Sequence, residues 1–170
     1  WSETKEERFF RIACLFRPWP ARGEIVALTG HLAENELRGG LTFIERSLGI
    51  EKAREFYEQE SGQALSQSEL ARRLTADGYP VPQSHISRMN DAVRYLLPAI
   101  PTLLYGGLGR HQVDRLAVLR KACERTWERR ALGRPLTVDF ASLFQDVLSQ
   151  FDTQPEGFSP QRVQDELVGQ

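Results

Sequence analysis

The stretch "LSQSELARRLTADGYPVPQSHISRM", residues 65–89, decides the fold class of this chain. It predicts two short helices with a break between them. Ser66 and Glu69 have the spacing of a capping box, which starts the first helix. The segment "TADGYPVP" opposes any continuation because it contains a glycine and two prolines. The second helix is therefore predicted to begin near Pro82, where a missing N–H does no harm.

The second helix separates into two sides when it is projected at about 100° per residue. The apolar side holds Ile86, Met89, Val93, Leu96 and Leu97. The polar side holds Gln83, Ser84, Ser87, Arg88, Asp91 and Arg94, with His85 and Asn90 at its borders. Gln and Arg can bind adenine and guanine bidentately in the major groove, and a short Ser lets the backbone approach phosphate. The pattern favours a DNA-recognition helix, with the first helix crossing the DNA backbone and Gln67 facing phosphate. A solvated polar face gives the same pattern, and the connection is longer than the turn of most helix-turn-helix units.

The charge distribution places the positive charge around this stretch. The net charge is −1, but residues 61–130 hold 11 Lys and Arg against 6 Asp and Glu, which gives +5. A basic middle between acidic flanks is compatible with a local polyanion footprint, although chance clustering on a solvated surface would also produce it. The candidate phosphate ligands are Arg72, Arg73, Arg110, Arg115 and Arg120.

The rest of the chain is predicted to be helical, apart from a short apolar strand at residues 8–16. One helix is predicted at 23–38, and a second starts at the capping box of Thr42 and Glu45. A third is predicted at 140–151, and the last helix has Ser159 as N-cap and Pro160 at N1. Gly39 and Gly40 stop the first of these, Gly49 is a possible interruption of the second, and Gly133–Pro135 marks a late boundary.

The cellular setting is inferred from what the composition contains. Cys14 and Cys123 are too few and too far apart for a disulfide framework, so a reducing, cytoplasmic setting is expected. No run of about 18 apolar residues predicts a membrane span. The chain opens on Trp1 and ends on Gln170 in an apparently helical segment, so we expect a piece of a longer protein, monomeric or weakly dimeric. His31, His85 and His111 show no metal-ligand spacing with the cysteines.

Two boxes in this chain resemble the ParB family of partition proteins over about residues 25–120. The segment 65–89 is followed by Leu97-Pro98, Leu103-Leu104 and Gly107-Leu108, which resemble the family's continuation of its helix-turn-helix domain. Upstream, "ENELRGGLTFIE", 34–45, resembles the family's "ENxQRxxLxxIE" box, with Leu37 in place of the usual Gln and Gly39-Gly40 in place of acidic residues. Within the family, the sequence of residues 25–120 is most similar to ParB-like proteins of integrative conjugative elements.

The resemblance implies a fold, partners and a nucleotide site. It implies an all-α bundle containing a helix-turn-helix, divided into an N-terminal-domain remnant (1–40), a DNA-binding domain (41–130) and a C-terminal helical segment (131–170). The implied partner is double-stranded DNA, as an inverted repeat bound by a homodimer, in a bacterial cytoplasm at the nucleoid or mobile element. In the family the upstream box belongs to a domain that binds CTP and magnesium, which makes Glu34, Asn35 and Arg38 the implied remnant of a nucleotide site. The partner phosphate motif is missing before residue 34, so no cofactor is expected for this chain.

Three functions remain open at this point. The first is a sequence-specific DNA-binding module of a partition or element-maintenance protein, with contacts from Gln67, Arg72, Arg73, Gln83, Ser84, His85, Ser87, Arg88, Arg94 and Arg110. The second is a fragment of an enzyme, either a CTP-dependent switch or a ParB-like nuclease, although no cluster of carboxylates suited to metal ions is visible. The third is a helical protein-interaction module that uses the acidic C-terminal helices. We favour the first and expect no catalysis from this chain.

Overall fold

The computed structural model describes residues 14–16, 18–131, 138–153 and 155–169, and this part of the chain is all-helical, as predicted. The described residues form eight α-helices: α1 Gly23–Arg38, α2 Phe43–Ser61, α3 Gln67–Ala76, α4 Gln83–Asp91, α5 Pro101–Tyr105, α6 Arg110–Ala131, α7 Phe140–Asp152 and α8 Pro160–Gly169. A π-helical turn, Ala92–Leu96, extends α4, and a 3₁₀ turn, Pro155–Gly157, precedes α8. Residues 14–16 of the predicted strand have no regular structure, and residues 8–13 lie outside the described residues, as does the predicted boundary at 133–135.

The predicted start and stop signals of α1 and α2 are confirmed. Gly39 ends α1 with φ +66°, the left-handed conformation that glycine adopts without strain. The Thr42 hydroxyl accepts a hydrogen bond from the Glu45 N–H at 3.3 Å, and the Glu45 carboxylate accepts one from the Thr42 N–H at 2.8 Å. This capping box satisfies two N–H groups that the first turn of α2 would otherwise leave unpaired.

Gly49 does not interrupt α2, contrary to what the sequence suggested. The helix runs unbroken from Phe43 to Ser61, and a Cβ at position 49 would lie 2.6 Å from Cδ2 of Leu32. Leu32 is buried on α1. The glycine therefore serves the close approach of α1 to α2, and its absent side chain makes room for a leucine of the neighbouring helix.

The pair α3–α4 forms at the predicted place, joined by the segment 77–82. Ser66 caps α3 by accepting a hydrogen bond from the Glu69 N–H at 3.2 Å. The connection is long, but Tyr79 and Val81 anchor it, since each is only 3% exposed. Pro82 is the N-cap of α4, one position earlier than N1. The long connection is thus part of the core, and it holds α3 and α4 in contact.

A web of polar contacts fixes the start of α1 against α2 and α3. The Arg22 guanidinium binds Glu60 with Nε 2.6 Å from Oε1, and it binds Asp77 with Nη2 3.0 Å from Oδ2. The Tyr57 hydroxyl donates to the same Asp77 oxygen, Oδ2, at 2.6 Å. Burial opposes ionisation of Asp77, but the hydrogen bonds from Tyr57 and Arg22 outweigh it and lower the pKa of this carboxyl.

Two hydrophobic clusters make up the core. The N-terminal cluster consists of Ile25, Leu32, Ile50, Ala53, Tyr57, Leu65, Leu70, Leu74, Tyr79, Val81, Ile86 and Met89. The C-terminal cluster consists of Ile44, Ala92, Leu96, Ala99, Ile100, Leu104, Leu108, Val113, Leu116, Phe140, Phe144, Val147, Leu148, Phe151 and Val163. Residues of α2 and of α4 with its π-helical turn occur in both clusters. The division of the chain at residues 40 and 130 stays a prediction.

Among the described helices, none combines the length and the apolar character that crossing a membrane requires.

Candidate nucleic-acid interface

The first turn of α4 presents polar groups to solvent. Gln83 and Ser84 are exposed, while Ile86 and Met89 on the opposite side are buried at 1% and 3% exposure. Pro82 offers no side-chain cap. The His85 N–H donates to the Pro82 carbonyl at 2.9 Å, so the N–H groups of Gln83 and Ser84 are the ones left for solvent or for a ligand. This end of α4 therefore combines free backbone donors with two exposed side chains that hydrogen-bond well.

His85 and Ser87 lie half-buried at the edges of this surface. The pKa of His85 is lowered, first by burial and then by the positive charges of Arg110, Arg88 and Arg46, whereas Asp114 acts in the opposite direction. Three arginines from three different helices thus set the potential around one imidazole.

Arg88 does not point freely outward. Its Nε lies 3.3 Å from Oδ1 of Asp114 on α6, and the two side chains are 36% and 34% exposed. The Nη1 atom of Arg88 is buried and has no hydrogen-bond partner in the described part of the chain. Oδ1 of Asp114 is likewise buried without a hydrogen-bond partner among the described residues, so the two side chains form an ion pair that lacks hydrogen-bond geometry.

Arg72 and Arg73 are engaged by one carboxylate. The Glu69 oxygens accept hydrogen bonds from Arg72 Nε at 2.8 Å and from Arg73 Nε at 3.0 Å. These contacts lower the pKa of Glu69 to about 2. They also show that the second capping box is only half formed, because the Glu69 side chain turns to the arginines while only its N–H bonds Ser66. Arg73 is further held beside Tyr57, 5.7 Å from the ring centre.

The remaining predicted DNA contacts differ in exposure. Arg94 is exposed and lies 5.2 Å from the ring centre of Tyr95. Arg110 is 51% exposed, with Nε 3.8 Å from Asp114 Oδ2, and Gln67 is half-buried. Arg120 is only 9% exposed and stacks on Tyr95 at 3.9 Å, so it supports the helix packing and is closed off from a phosphate.

Helix α6 also carries exposed arginines that were not among the predicted DNA contacts. Arg125, Arg129 and Arg130 are exposed and form no ion pair within the described residues, as is also true of Arg115. Arg125 and Arg129 are four residues apart on the helix, which was a readable signal, since such residues share one face. The pairing of Arg88 with Asp114 carried no such signal, because the two residues belong to different helices.

The implied nucleotide-site residues do not converge. Glu34 and Arg38 pair with each other at 2.7 Å across one turn of α1, and both are largely exposed. The Asn35 amide donates to the backbone carbonyl of His31 at 2.8 Å. These contacts are those of a helix end that satisfies its own polar groups.

The described residues contain no group of three or more His, Cys, Asp or Glu side chains placed to hold a metal ion. Comparisons of the chain with models of known protein families, with curated proteins and with solved structures found no match.

Proposed function

We propose that this chain is a sequence-specific double-stranded-DNA-binding module, of the kind found in ParB-like partition or mobile-element maintenance proteins. The observation that carries the proposal is the exposed polar start of α4 on a helix whose other side is buried. The contact of α4 with α3, α2 and α6 supports it further, because a recognition helix must be held rigidly to read base edges.

The chemistry of this surface suits the major groove. Gln83 can bind an adenine edge bidentately, and Ser84 is short enough to let the first turn approach phosphate. The uncapped N–H groups of α4 attract anions because the positive end of the helix dipole lies there. We assign contacts with the bases to Gln83 and Ser84. Ser87 and Arg88 lie beside them, and Arg88 is ion-paired with Asp114.

Phosphate contacts come from exposed arginines that no carboxylate of the described residues holds at hydrogen-bond distance; Arg110 lies 3.8 Å from Asp114. Arg94, Arg110 and Arg115 are exposed on α4's extension and on α6. Arg72 is exposed but shares Glu69 with Arg73, so a contact with DNA would compete with that carboxylate. We therefore assign most of the phosphate binding to α6 and not to α3.

The test is a binding selection from random duplexes, followed by titration of the selected site. Gln83→Ala should relax the preference at one base pair and cost about 1–3 kcal/mol on the selected site. Gln59→Ala is the matched control, since Gln59 is an exposed glutamine on α2, away from this surface. If the selection enriches no sequence, or if both variants bind alike, the proposal fails.

The same titrations test the arrangement of two copies. A single unit reads only a few base pairs, so two half-sites in inverted orientation should bind more tightly than two in direct orientation. The logarithm of the affinity should fall with the logarithm of salt with a slope of about −3 to −5, which corresponds to a few phosphate contacts. A flat salt response would argue against a phosphate footprint.

One observation favours the alternative of a protein-interaction module. A groove of about 400 Å³ lies between α6 and α8, and Val118 on its wall is 70% exposed. Exposed apolar grooves often mark interaction sites. Two observations together would favour this function over DNA binding: the unmodified chain does not bind duplex DNA, and it captures a protein partner that Val118→Asp no longer captures.

A further inference from the structure

A second cavity, of about 450 Å³, lies where three helices meet. Its wall is formed by the start of α2, the first half of α4 and the turn that leads into α6. Three guanidinium groups line it, from Arg46, Arg88 and Arg110, and the His85 ring lies among them. Arg46, Arg88 and Arg110 are far apart in the sequence, so it is the fold that brings their side chains together.

Fewer carboxylates than guanidinium groups line the cavity. Glu36 lies on the wall, where it accepts hydrogen bonds from Arg46 and from the Tyr79 hydroxyl, the latter at 2.7 Å. Asp114 is shared by Arg88 at 3.3 Å and by Arg110 at 3.8 Å. A third carboxylate, Glu45, is bound by the N–H and the hydroxyl of Thr42 at the start of α2. Neither Asp114 nor Glu45 lines the cavity, so the wall itself carries three guanidinium groups against the one carboxylate of Glu36.

The backbone adds to the attraction for an anion. The helix α6 begins at the cavity, with Arg110 on its wall, and the N-terminal end of a helix carries a partial positive charge. The start of α2 also lies there, but the Glu45 carboxylate of its capping box already occupies it. Gly107 and Gly109 leave the turn before α6 uncovered, since a Cβ at either position would meet no atom within 4 Å. A ligand could therefore approach this backbone closely.

We propose that this cavity is an anion-binding site for a phosphate group, with Arg110 as its most accessible ligand. The phosphate can belong to a small phosphorylated molecule or to the DNA backbone, and both offer the same chemistry to the guanidinium groups. The lowered pKa of His85 agrees with a positive potential in the empty cavity. The proposal does not rest on DNA binding, because it is argued from the cavity alone.

The probe is inorganic phosphate, titrated into the full chain at constant ionic strength and followed by the NMR signal of the His85 ring. Phosphate should bind saturably, and it should raise the pKa of His85 because its charge offsets Arg46, Arg88 and Arg110 while Asp114 stays in place. Arg110→Gln should weaken phosphate binding about 10- to 100-fold, the loss expected for a hydrogen bond between charged groups. Arg110→Lys should retain part of the affinity.

Arg125→Gln is the matched control, because Arg125 is an exposed arginine of the same helix outside this cavity. Titration of duplex DNA with the same variants distinguishes the two sources. If phosphate displaces DNA and Arg110→Gln weakens both, the site holds a backbone phosphate; if DNA affinity is unchanged or absent, the site holds a free phosphorylated molecule. The proposal is overturned if phosphate does not bind the unmodified chain saturably, or if Arg110→Gln and Arg125→Gln respond alike.

Discussion

Removal of the Arg88 side chain separates a structural role from a recognition role. Arg88 is ion-paired with Asp114 of α6, and about a third of each side chain remains exposed. Pairs with this much exposure contribute about 0.2–1 kcal/mol to folding. A base contact by an arginine contributes about 1–3 kcal/mol to specific binding, which is about 5- to 150-fold in affinity. The two roles therefore differ in the quantity they change and in its size.

The assay is a double-mutant cycle of Arg88→Ala and Asp114→Ala, read both as the free energy of unfolding in urea and as affinity for the selected duplex. In the unfolding data the coupling between the two positions should be about 0.2–1 kcal/mol. In the binding data Arg88→Ala should lose about 1–3 kcal/mol on the preferred site, while Asp114→Ala should bind DNA at least as tightly as the unmodified chain. The latter follows because a negative charge beside Arg88 and Arg110 has been removed.

The control is Arg125→Ala, which removes an exposed arginine of α6 and should leave base preference unchanged. The reasoning is refuted if Arg88→Ala shows the stability coupling with Asp114 but retains both its specific and its non-specific DNA affinity. Arg88 would then be a packing residue, and the assignment of α4 as a recognition helix would lose its central basic side chain.

Three further outcomes are expected. Gly49→Ala should lower the midpoint of thermal unfolding, because its Cβ would lie 2.6 Å from the buried Leu32. Gly30→Ala should stabilise the fold by up to about 1 kcal/mol, because a Cβ there meets nothing within 4 Å. Equal midpoints for the two variants would contradict this. The pKa of Asp77 is lowered below the ordinary 3.8, so the contribution of Asp77 to the free energy of unfolding is fully present above pH 3.8 and is lost as pH falls through the folded-state pKa. Asp77→Asn should remove this step from the dependence of stability on pH. An acid titration that is the same for both chains would count against it. The purified chain should neither cleave duplex DNA nor hydrolyse CTP, and magnesium-dependent turnover that disappears in Asn35→Ala would show otherwise.

The helices were predictable from sequence wherever the signal was local. The Thr42 and Glu45 box, the stop at Gly39 and the Ser159 cap all depend on residues within one turn, and the structure forms each of them. The apolar spacing along α4 likewise placed Ile86 in the core. Local rules suffice in these cases because the interacting groups are neighbours in the chain.

The misjudged features depend on residues that are distant in sequence. Gly49 looked like a helix breaker because its reason is Leu32, on another helix. Glu69 looked like half of a capping box, but two arginines compete for its carboxylate. The base contact predicted for Arg88 stays a prediction, but its ion pair with Asp114 was not predictable, because Asp114 lies 26 positions further on. The sites at which side chains meet across helices were therefore the part that periodicity alone did not reveal.

The two hydrophobic clusters have a consequence for how the molecule opens. The helices α1 and α3 contribute to the N-terminal cluster, and α7 and α8 contribute to the C-terminal cluster. Only α2 and α4 with its π-helical turn are anchored in both among the elements described. Local unfolding of either end would thus leave these two helices held by the other cluster. The helix assigned to DNA then lies in the part of the molecule that both clusters hold, and beyond its solvent-facing first turn its amide protons should be among the last to exchange with solvent.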